Sequence, residues 1–417
     1  MIKGLTGKVA ASILLLLIIS RIMILFTGYV GNNLFSAYTE ETPYERQYAG
    51  VVPNYTMKLP FDLYDTRLPN LKDFVKFDSF AYLNIAANGY DAYRIDEPHS
   101  PANWVFFPLY PLLIFALGKA VALIGTVNPA ILGGILSNLL FFLALIYLYA
   151  ICLQQRLDER KARTVLILML LYPTSIFYSL PYTESLFLML SAASIYYACD
   201  KKYALAFLAA SLSTVTRVPG FINLFFVLGT VVLDEGFTFS KRYFRYALYS
   251  LLSLIPMGIY LLYMKWLTGD LLAPFHEQIS WYRLSAVPFA NYINYFIKPY
   301  FMAPGGWDNG LIAFVISTAV FIVYLGYLIV QWKKLFREPK QLLMWVYGAL
   351  LIIIPFSSQP WYLASVVRYM MICIPFFLYL VKMTEKRENL LFVYQMLFVV
   401  IHVITTIGFF NDYYFMA

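Results

Sequence analysis

The sequence predicts an all-α polytopic membrane protein with about eleven transmembrane helices and a large outer loop after the first helix. Hydrophobic residues make up 61% of the 417 residues and charged residues only 13%, and the mean hydropathy is +0.67. No soluble fold could bury so much apolar surface around so few polar groups. The three cysteines lie in apolar segments, which favours buried small hydrophobes over a disulfide set or a metal site.

Twelve apolar segments supply the predicted helices. They are 9–30, 105–125, 128–153, 164–180, 183–199, 203–218, 219–233, 246–268, 309–331, 341–356, 366–381 and 390–410. A perpendicular span needs about 20 residues, so the boundaries of the shorter segments are soft. The first segment is too long for a signal-peptide core and has no small-residue cleavage site, which predicts a retained helix.

Short basic loops predict the orientation. Lysine or arginine occurs in 154–163, 199–202, 234–245, 333–340 and 382–389, and the positive-inside rule places all five loops in the cytoplasm. This arrangement requires one early segment not to cross. Segment 105–125 contains Pro108, Pro111 and Lys119, so we expect a juxtamembrane or re-entrant segment there. The prediction is one integral membrane domain, 1–417, with the N-terminus inside and the C-terminus outside.

Two long polar loops, 31–104 and 269–308, then lie on the outer face. The first has ten acidic and six basic residues, although the whole chain has a formal net charge of +8. The basic excess is cytoplasmic and follows from topology, so nucleic acid is not an expected partner. Loop 31–104 is the expected catalytic loop, and Asp78 is its first candidate residue. We expect four other aspartates of the loop to be solvated, namely Asp62, Asp65, Asp73 and Asp91.

Several common kinds of catalytic site are missing from the sequence. It contains no Gly-rich phosphate loop, no Cys or His cluster with metal-ligand spacing and no Ser-His-Asp arrangement, so we expect neither a cofactor nor a metal. Asp78 precedes a predicted short helix, 79–88, which Gly89 closes. An isolated Asp at a helix start is most often an N-cap. Whether Asp78 has another role therefore depends on the sequence around it.

That setting resembles a known family. Residues 76–90 read Lys-Phe-Asp-Ser-Phe-Ala-Tyr-Leu-Asn-Ile-Ala-Ala-Asn-Gly-Tyr, which is similar to the basic-Trp-Asp motif of the GPI mannosyltransferase II (PIG-V-like) family. Four more stretches agree in order and spacing, namely Phe-Phe-Pro-Leu-Tyr-Pro at 106–111, Tyr-Pro-Thr-Ser-Ile-Phe-Tyr-Ser at 172–179, Tyr-Thr-Glu-Ser-Leu-Phe at 182–187 and Thr-Arg-Val-Pro-Gly at 216–220. Weaker matches are 278–283 and Arg368-Tyr369 with Pro375. The family usually has Trp where this chain has Phe77, and often His or Trp at Ala81, which bears on the acceptor more than on the reaction.

The resemblance implies a glycosyltransferase C (GT-C) fold and inverting transfer of a sugar, usually mannose. The donor would be a polyprenyl-phosphate sugar, and the acceptor a hydroxyl of a glycolipid or surface glycan on the outer membrane face. Asp78 fits the general base. Arg217 and Arg368 fit the donor phosphate, although an Arg at a helix end can also simply snorkel to the interface.

The remaining site residues follow from the same resemblance. Glu184 is a second catalytic candidate that orients Asp78 or the acceptor, and the alternative is a Glu that only complements its helix dipole. Contacts to acceptor or sugar are expected from Tyr82, Tyr182, Gln278 and Trp281. No Asp-x-Asp pair occurs in this set, so we predict metal-independent transfer.

The rival class is a membrane transporter or lipid flippase. Such proteins often show internal repeats and charges at the bilayer midplane, whereas the polar candidates here lie at helix ends on one face. Within the enzyme class, glucose, galactose or an aminosugar are alternatives to mannose. The expected location is a prokaryotic plasma membrane, or the endoplasmic reticulum in a eukaryote.

Overall fold

A helical bundle makes up most of the structure, a computed structural model that describes residues 4–35, 67–97, 100–123, 125–236, 241–281, 284–297, 307–359, 363 and 365–411. Residues 36–66 of the predicted loop 31–104 lie outside the described residues, and so do 298–306 of the second loop and Tyr282 and Arg283 of the weaker motif.

The helices of the first half are α1 (Gly7–Leu34), α2 (Leu71–Phe74), α3 (Asp78–Asn88), α4 (Leu109–Val121), α5 (Pro129–Gln154), α6 (Glu159–Leu170), α7 (Glu184–Cys199), α8 (Tyr203–Thr214) and α9 (Gly220–Glu235). Those of the second half are α10 (Lys241–Leu252), α11 (Ile255–Thr268), α12 (Ala273–His276), α13 (Ala290–Ile297), α14 (Trp307–Arg337), α15 (Pro339–Ile353), α16 (Val366–Met370), α17 (Ile374–Met383) and α18 (Glu388–Phe410). Short 3₁₀ helices occur at Asn103–Val105, Ser175–Tyr178 and Ile354–Ser357. Two strands, β1 (Leu284–Ser285) and β2 (Ser358–Gln359), pair antiparallel, with Leu284 opposite Gln359.

Six helical segments within the described residues are at least 18 residues long and apolar enough to cross a bilayer. They are Gly7–Leu34, Pro129–Gln154, Arg242–Thr268, Gly310–Arg337, Pro339–Ser357 and Glu388–Phe410. The chain is therefore a multi-pass membrane protein, while the count of eleven spans stays a prediction. Shorter apolar helices, among them α7 and α8, complete the bundle.

The segment predicted not to cross forms a short helix. Helix α4 has 13 residues, begins after Pro108 and has Lys119 in its last turn. At about 1.5 Å per residue it is roughly 20 Å long, against a hydrocarbon core of about 30 Å. That it lies beside or partly in the membrane remains a prediction.

Helix α7 lies at the centre of the bundle. Thirteen of its 16 residues are buried, including its first residue, Glu184, and it packs against α5, α8 and α9. A helix that is buried all round has no solvent-facing stripe. Glu184 is therefore held in the core, at the end of α7 that lies near the other predicted site residues.

The expectation of a solvated Asp73 is wrong. Asp73 is buried, accepts a 2.8 Å hydrogen bond from the backbone N–H of Asn70 in a capping box, and pairs with Arg67 at 2.7 Å. Asp91 is half-buried, and its Oδ2 accepts a 2.8 Å bond from the Asn103 backbone N–H. Asp62 and Asp65 lie outside the described residues. Asp73 and Asp91 therefore each hold part of the loop backbone in place.

Candidate active site

A cavity of about 220 Å³ lies at one end of the bundle, where α3, α9, α15 and α16 meet. Asp78, Arg217, Arg368, Tyr82 and Gln278 line it, together with apolar side chains that include Phe106, Phe107, Ile222, Leu351 and Ile354. Five of the eight predicted site residues therefore face one cavity. The other three, Glu184, Tyr182 and Trp281, lie behind its wall.

Asp78 is the first residue of α3, and the N-cap position belongs to Phe77. The backbone of Phe77 has φ +50° and ψ −125°, a region that favours glycine and costs other residues of order 1–3 kcal/mol. The C-terminal end of α3 follows the sequence prediction, because Gly89 is the C-cap with φ +84°. Asp78 thus occupies the first position of the helix and not its N-cap.

Lys76 anchors the start of α3 to the last helix. Its Nζ donates to the carbonyl oxygens of Phe409 and Phe410, at 3.0 and 3.1 Å, at the C-terminal end of α18. A cation is favourable at that end of a helix. The ring of Phe77 packs edge-on against Phe409, with centroids 6.2 Å apart. These contacts hold the strained turn that presents Asp78.

Four charged side chains form one connected cluster. Arg368 Nη2 donates a 2.8 Å bond to Asp78 Oδ2, and Arg368 Nε lies 3.4 Å from Glu184 Oε1. Arg217 Nη1 donates a 2.6 Å bond to the same Glu184 oxygen. Two guanidinium groups therefore face two carboxylates, and Glu184 links the arginines. Exposed fractions are 1% for the Glu184 side chain, 2% for Arg368, 13% for Arg217 and 17% for Asp78.

Aromatic rings surround Arg368. Its Cζ lies 5.1 Å from the ring centroids of Phe177 and Tyr369 and 5.4 Å from that of Tyr182. Tyr369 also covers Arg217, at 4.9 Å. Cation–π contacts are strongest where water is excluded. Here they cover a guanidinium whose Nη1 has no hydrogen-bond partner among the described residues. Arg368 is therefore held on several sides, whereas Arg217 reaches further into the cavity.

Arg217 lies in a tight turn between α8 and α9. Pro219 is the N-cap of α9, and Gly220 is its first residue. A Cβ atom on Gly220 would lie 2.2 Å from the carbonyl oxygen of Ser213, so only glycine fits this approach of two backbones. The Thr-Arg-Val-Pro-Gly sequence thus folds back on the end of α8 and directs Arg217 into the cavity.

Two tyrosines connect α3 to the start of α7. The hydroxyl of Tyr182 donates a 2.7 Å bond to the Lys76 carbonyl, and the hydroxyls of Tyr82 and Thr183 lie 3.3 Å apart. Burial, reinforced by the nearby Asp78 carboxylate, raises the pKa of Tyr82 above its ordinary value. Tyr82 therefore stays protonated at neutral pH and presents a neutral hydroxyl to the cavity.

The segment after α12 forms a wall of the cavity. Trp281 Nε1 donates a 2.8 Å bond to the Ala102 carbonyl, and the buried Glu277 accepts a 2.8 Å bond from the Ala102 N–H. The ring of Trp281 packs edge-on against Phe106, with centroids 5.1 Å apart. Gln278 lines the cavity, and its Nε2 donates to the Pro274 carbonyl at 3.2 Å. Trp281 thus supports a lining residue and does not itself line the cavity.

Sequence reasoning missed several residues of this site. Phe177 and Tyr369 cover the arginines, Thr183 contacts Tyr82, and Lys76 fixes the turn before Asp78. All four lie within the motifs quoted above. The motifs therefore marked their positions, but did not show which residues they contact. In the part of the chain that the structure describes, no three His, Cys, Asp or Glu side chains are grouped as metal ligands would be.

Comparisons with known proteins give two findings. A family model described as mannosyltransferase (PIG-V) matches residues 11–294, a range that includes Asp78, Glu184 and Arg217 but not Arg368. The crystal structure of ArnT from Cupriavidus metallidurans bound to undecaprenyl phosphate is similar with a TM-score of 0.47 and 10% identity, covering 96% of this chain and 76% of that chain. A search of curated protein sequences finds no match.

Proposed function

This chain belongs to the mannosyltransferase (PIG-V) family, whose model matches 11–294 of its 417 residues, and on that premise we propose that it transfers mannose from a polyprenyl-phosphate donor to a hydroxyl of a lipid-linked or cell-surface acceptor. The observation that carries the proposal is the meeting of one carboxylate and two arginines at a single cavity. The same proposal includes the GT-C fold and an active site on the outer membrane face. It locates the protein in a prokaryotic plasma membrane.

The proposed reaction is a displacement at the anomeric carbon of the sugar. The acceptor oxygen forms a bond to C1 while the bond from C1 to the phosphate oxygen breaks, and the polyprenyl phosphate leaves with that electron pair. Asp78 takes the proton of the acceptor hydroxyl. Attack opposite to the leaving group inverts the anomeric configuration. Because the donor has a single phosphate, which links the sugar to the lipid as a diester, no diphosphate has to be bridged by a metal.

Arg217 is the proposed contact for the donor phosphate. It lines the cavity and is the more exposed of the two arginines, and a guanidinium matches two phosphate oxygens. Its bond to Glu184 holds it in place before the donor arrives. The preorganised guanidinium then stabilises the negative charge that develops on the leaving phosphate. Such stabilisation contributes much to catalysis in a site that excludes water.

Arg368 and Glu184 are proposed to position the reacting groups. Arg368 contacts Asp78 directly and is almost completely buried, so its main role is to fix the carboxylate that accepts the proton. It also brings positive charge to the leaving phosphate from behind Arg217. Glu184 keeps the two guanidinium groups together by sharing one oxygen between them. Tyr82 and Gln278 face the cavity and are proposed to contact sugar or acceptor, with Tyr182 and Trp281 behind them.

The test is a transfer assay with purified protein in lipid. Radiolabelled polyprenyl-phosphate mannose is supplied with a membrane extract as acceptor, and wild type is compared with Asp78→Asn, which keeps the shape of the side chain and removes the base. We expect transfer to fall by at least about 100-fold. Asp96→Asn is the matched control, because Asp96 is an exposed aspartate of the same loop that does not line the cavity.

Each outcome tests a different part of the proposal, namely the base, the stereochemistry, the sugar or the class of protein. Equal transfer by wild type and Asp78→Asn would remove Asp78 as the base, and a product with retained anomeric configuration would exclude direct displacement. If label moves only when a glucose, galactose or aminosugar donor replaces mannose, the sugar is wrong and the chemistry stands. Without transfer from any of these donors, movement of labelled lipid across the bilayer would support a flippase instead.

A further inference from the structure

A second cleft lies at the other end of the bundle. Helices α7, α9 and α15 each have one end at the active-site cavity, near Glu184, Ile222 and Leu351. Their opposite ends, at Cys199, Thr230 and Gln341, line a cleft of about 560 Å³. A helix of 16 residues, the length of α7, is about 24 Å long. The second cleft, called the distal cleft below, is therefore separate from the active site.

The distal cleft contains more positive than negative charge. Its lining includes Arg156, Lys334, Lys340 and Lys382, and the carboxylates of Asp200, Glu338 and Glu385. Lys340 pairs with Asp234, Asp200 with Lys202, and Glu385 with Lys161. Among the described residues, no carboxylate oxygen lies within 4 Å of a side-chain nitrogen of Arg156, Lys334 or Lys382, which is the limit for an ion pair. Three cations thus face the cleft against one remaining carboxylate, that of Glu338.

Lys382 is the most buried of these three cations. It is half-buried at the end of α17, and its Nζ donates to Gln155 Oε1 at 3.3 Å. The same oxygen accepts a 3.0 Å bond from Gln341 Nε2. A neutral amide oxygen compensates only part of the free energy lost when an ammonium group leaves water. Basic residues at this face follow from topology, but topology alone does not require an ammonium group inside a cleft.

We propose that the distal cleft binds a phosphate group, with Lys334 and Lys382 as its cationic ligands. A phosphate oxygen would accept hydrogen bonds from both ammonium groups and supply the negative charge that the cleft lacks. Apolar side chains of the lining, among them Phe226 and Met344, would contact the carbon atoms next to the phosphate. The source is a phospholipid headgroup or a soluble phosphorylated compound, and the proposal does not depend on the transfer reaction.

The experiment measures binding to the full chain in two arms. In the lipid arm, native mass spectrometry follows retention of phosphatidylglycerol against phosphatidylcholine. In the soluble arm, protein in nanodiscs of phosphatidylcholine alone is titrated with pyrophosphate, and its melting temperature is recorded. The variants are Lys334→Gln and Lys382→Gln, and Lys382→Arg should restore binding because it keeps the charge.

Lys333→Gln is the matched control. It removes the same charge from the neighbouring residue, which is exposed, lies over the ring of Trp332 and does not line the cleft. We expect each cleft variant to weaken binding roughly tenfold, and the control by less than twofold. Should Lys382→Gln fail to fold, the exposed Lys334 still gives a readout.

Either arm can support the proposal, and together they can overturn it. Selective retention of phosphatidylglycerol that the cleft variants lose assigns the phosphate to a lipid headgroup. A rise in melting temperature with pyrophosphate that the variants lose assigns it to a soluble compound. Equal binding by wild type and cleft variants in both arms, or an equal loss in Lys333→Gln, overturns the proposal.

Discussion

Arg368 donates a 2.8 Å hydrogen bond to Asp78, a residue that precedes it by 290 positions. The bond joins α3, which follows the first long helix, to the short helix α16 near the end of the chain. It also links Asp78 to Glu184 and Arg217, because Arg368 lies 3.4 Å from the Glu184 oxygen that Arg217 binds. The position of the proposed base thus depends on three other elements of the bundle.

Arg368→Lys should lower the turnover number more than donor affinity. Lysine keeps the positive charge but has a single nitrogen, so it cannot reach Asp78 and Glu184 from two nitrogens of one rigid planar group. The Asp78 carboxylate therefore loses its fixed position. A displacement of about 1 Å in a reacting group can cost roughly 100-fold in rate. Steady-state kinetics with labelled donor would check this, and a change confined to KM would argue against a positioning role.

Arg217→Ala should weaken binding of the lipid-phosphate donor. Loss of a charge-assisted contact to phosphate is expected to reduce affinity roughly tenfold or more. Arg217→Lys, which retains the charge, should lose less. Binding of polyprenyl phosphate to the purified protein, measured by isothermal titration calorimetry, is the readout. Unchanged affinity in Arg217→Ala would remove this residue from the phosphate site.

Glu184→Gln should destabilise the protein as well as slow transfer. The substitution keeps the size of the side chain and removes a carboxylate that contacts both arginines. Leaving a buried charge uncompensated costs about 3–5 kcal/mol. The melting temperature in detergent should fall by several degrees, while Glu388→Gln, at an exposed site, should leave it unchanged. Loss of activity at an unaltered melting temperature would instead indicate that Glu184 acts on the substrate.

Gly220→Ala should disturb the turn that carries Arg217. Its Cβ would overlap the backbone of Ser213 and Thr214, and the displacement is expected to cost about 1–3 kcal/mol. Gly258→Ala is the control, because a Cβ on this helical glycine meets no atom within 4 Å and should be neutral or stabilising by about 0.4–1 kcal/mol. Melting temperature and donor binding would both be recorded. Equal behaviour of the two variants would contradict a packing role for Gly220.

A local signal predicted the end of α3, because Gly89 is its C-cap as expected. Five of the predicted site residues line one cavity, while their roles stay predictions. The links between them could not be predicted, because Asp78, Glu184 and Arg368 meet only when α3, α7 and α16 pack together. Trp281 shows the same limit. An aromatic residue in a polar loop suggests sugar stacking, but only packing reveals that its ring supports Phe106.

The bond from Lys76 to the end of α18 has a consequence for the order of events during synthesis. The carbonyl groups of Phe409 and Phe410 that receive Lys76 emerge from the ribosome more than 300 residues after the lysine does. Until the helix ending at Phe410 has inserted, the turn before Asp78 lacks its anchor. A nascent or truncated chain that stops short of this helix would reach the membrane without the contact that holds the turn of the proposed base.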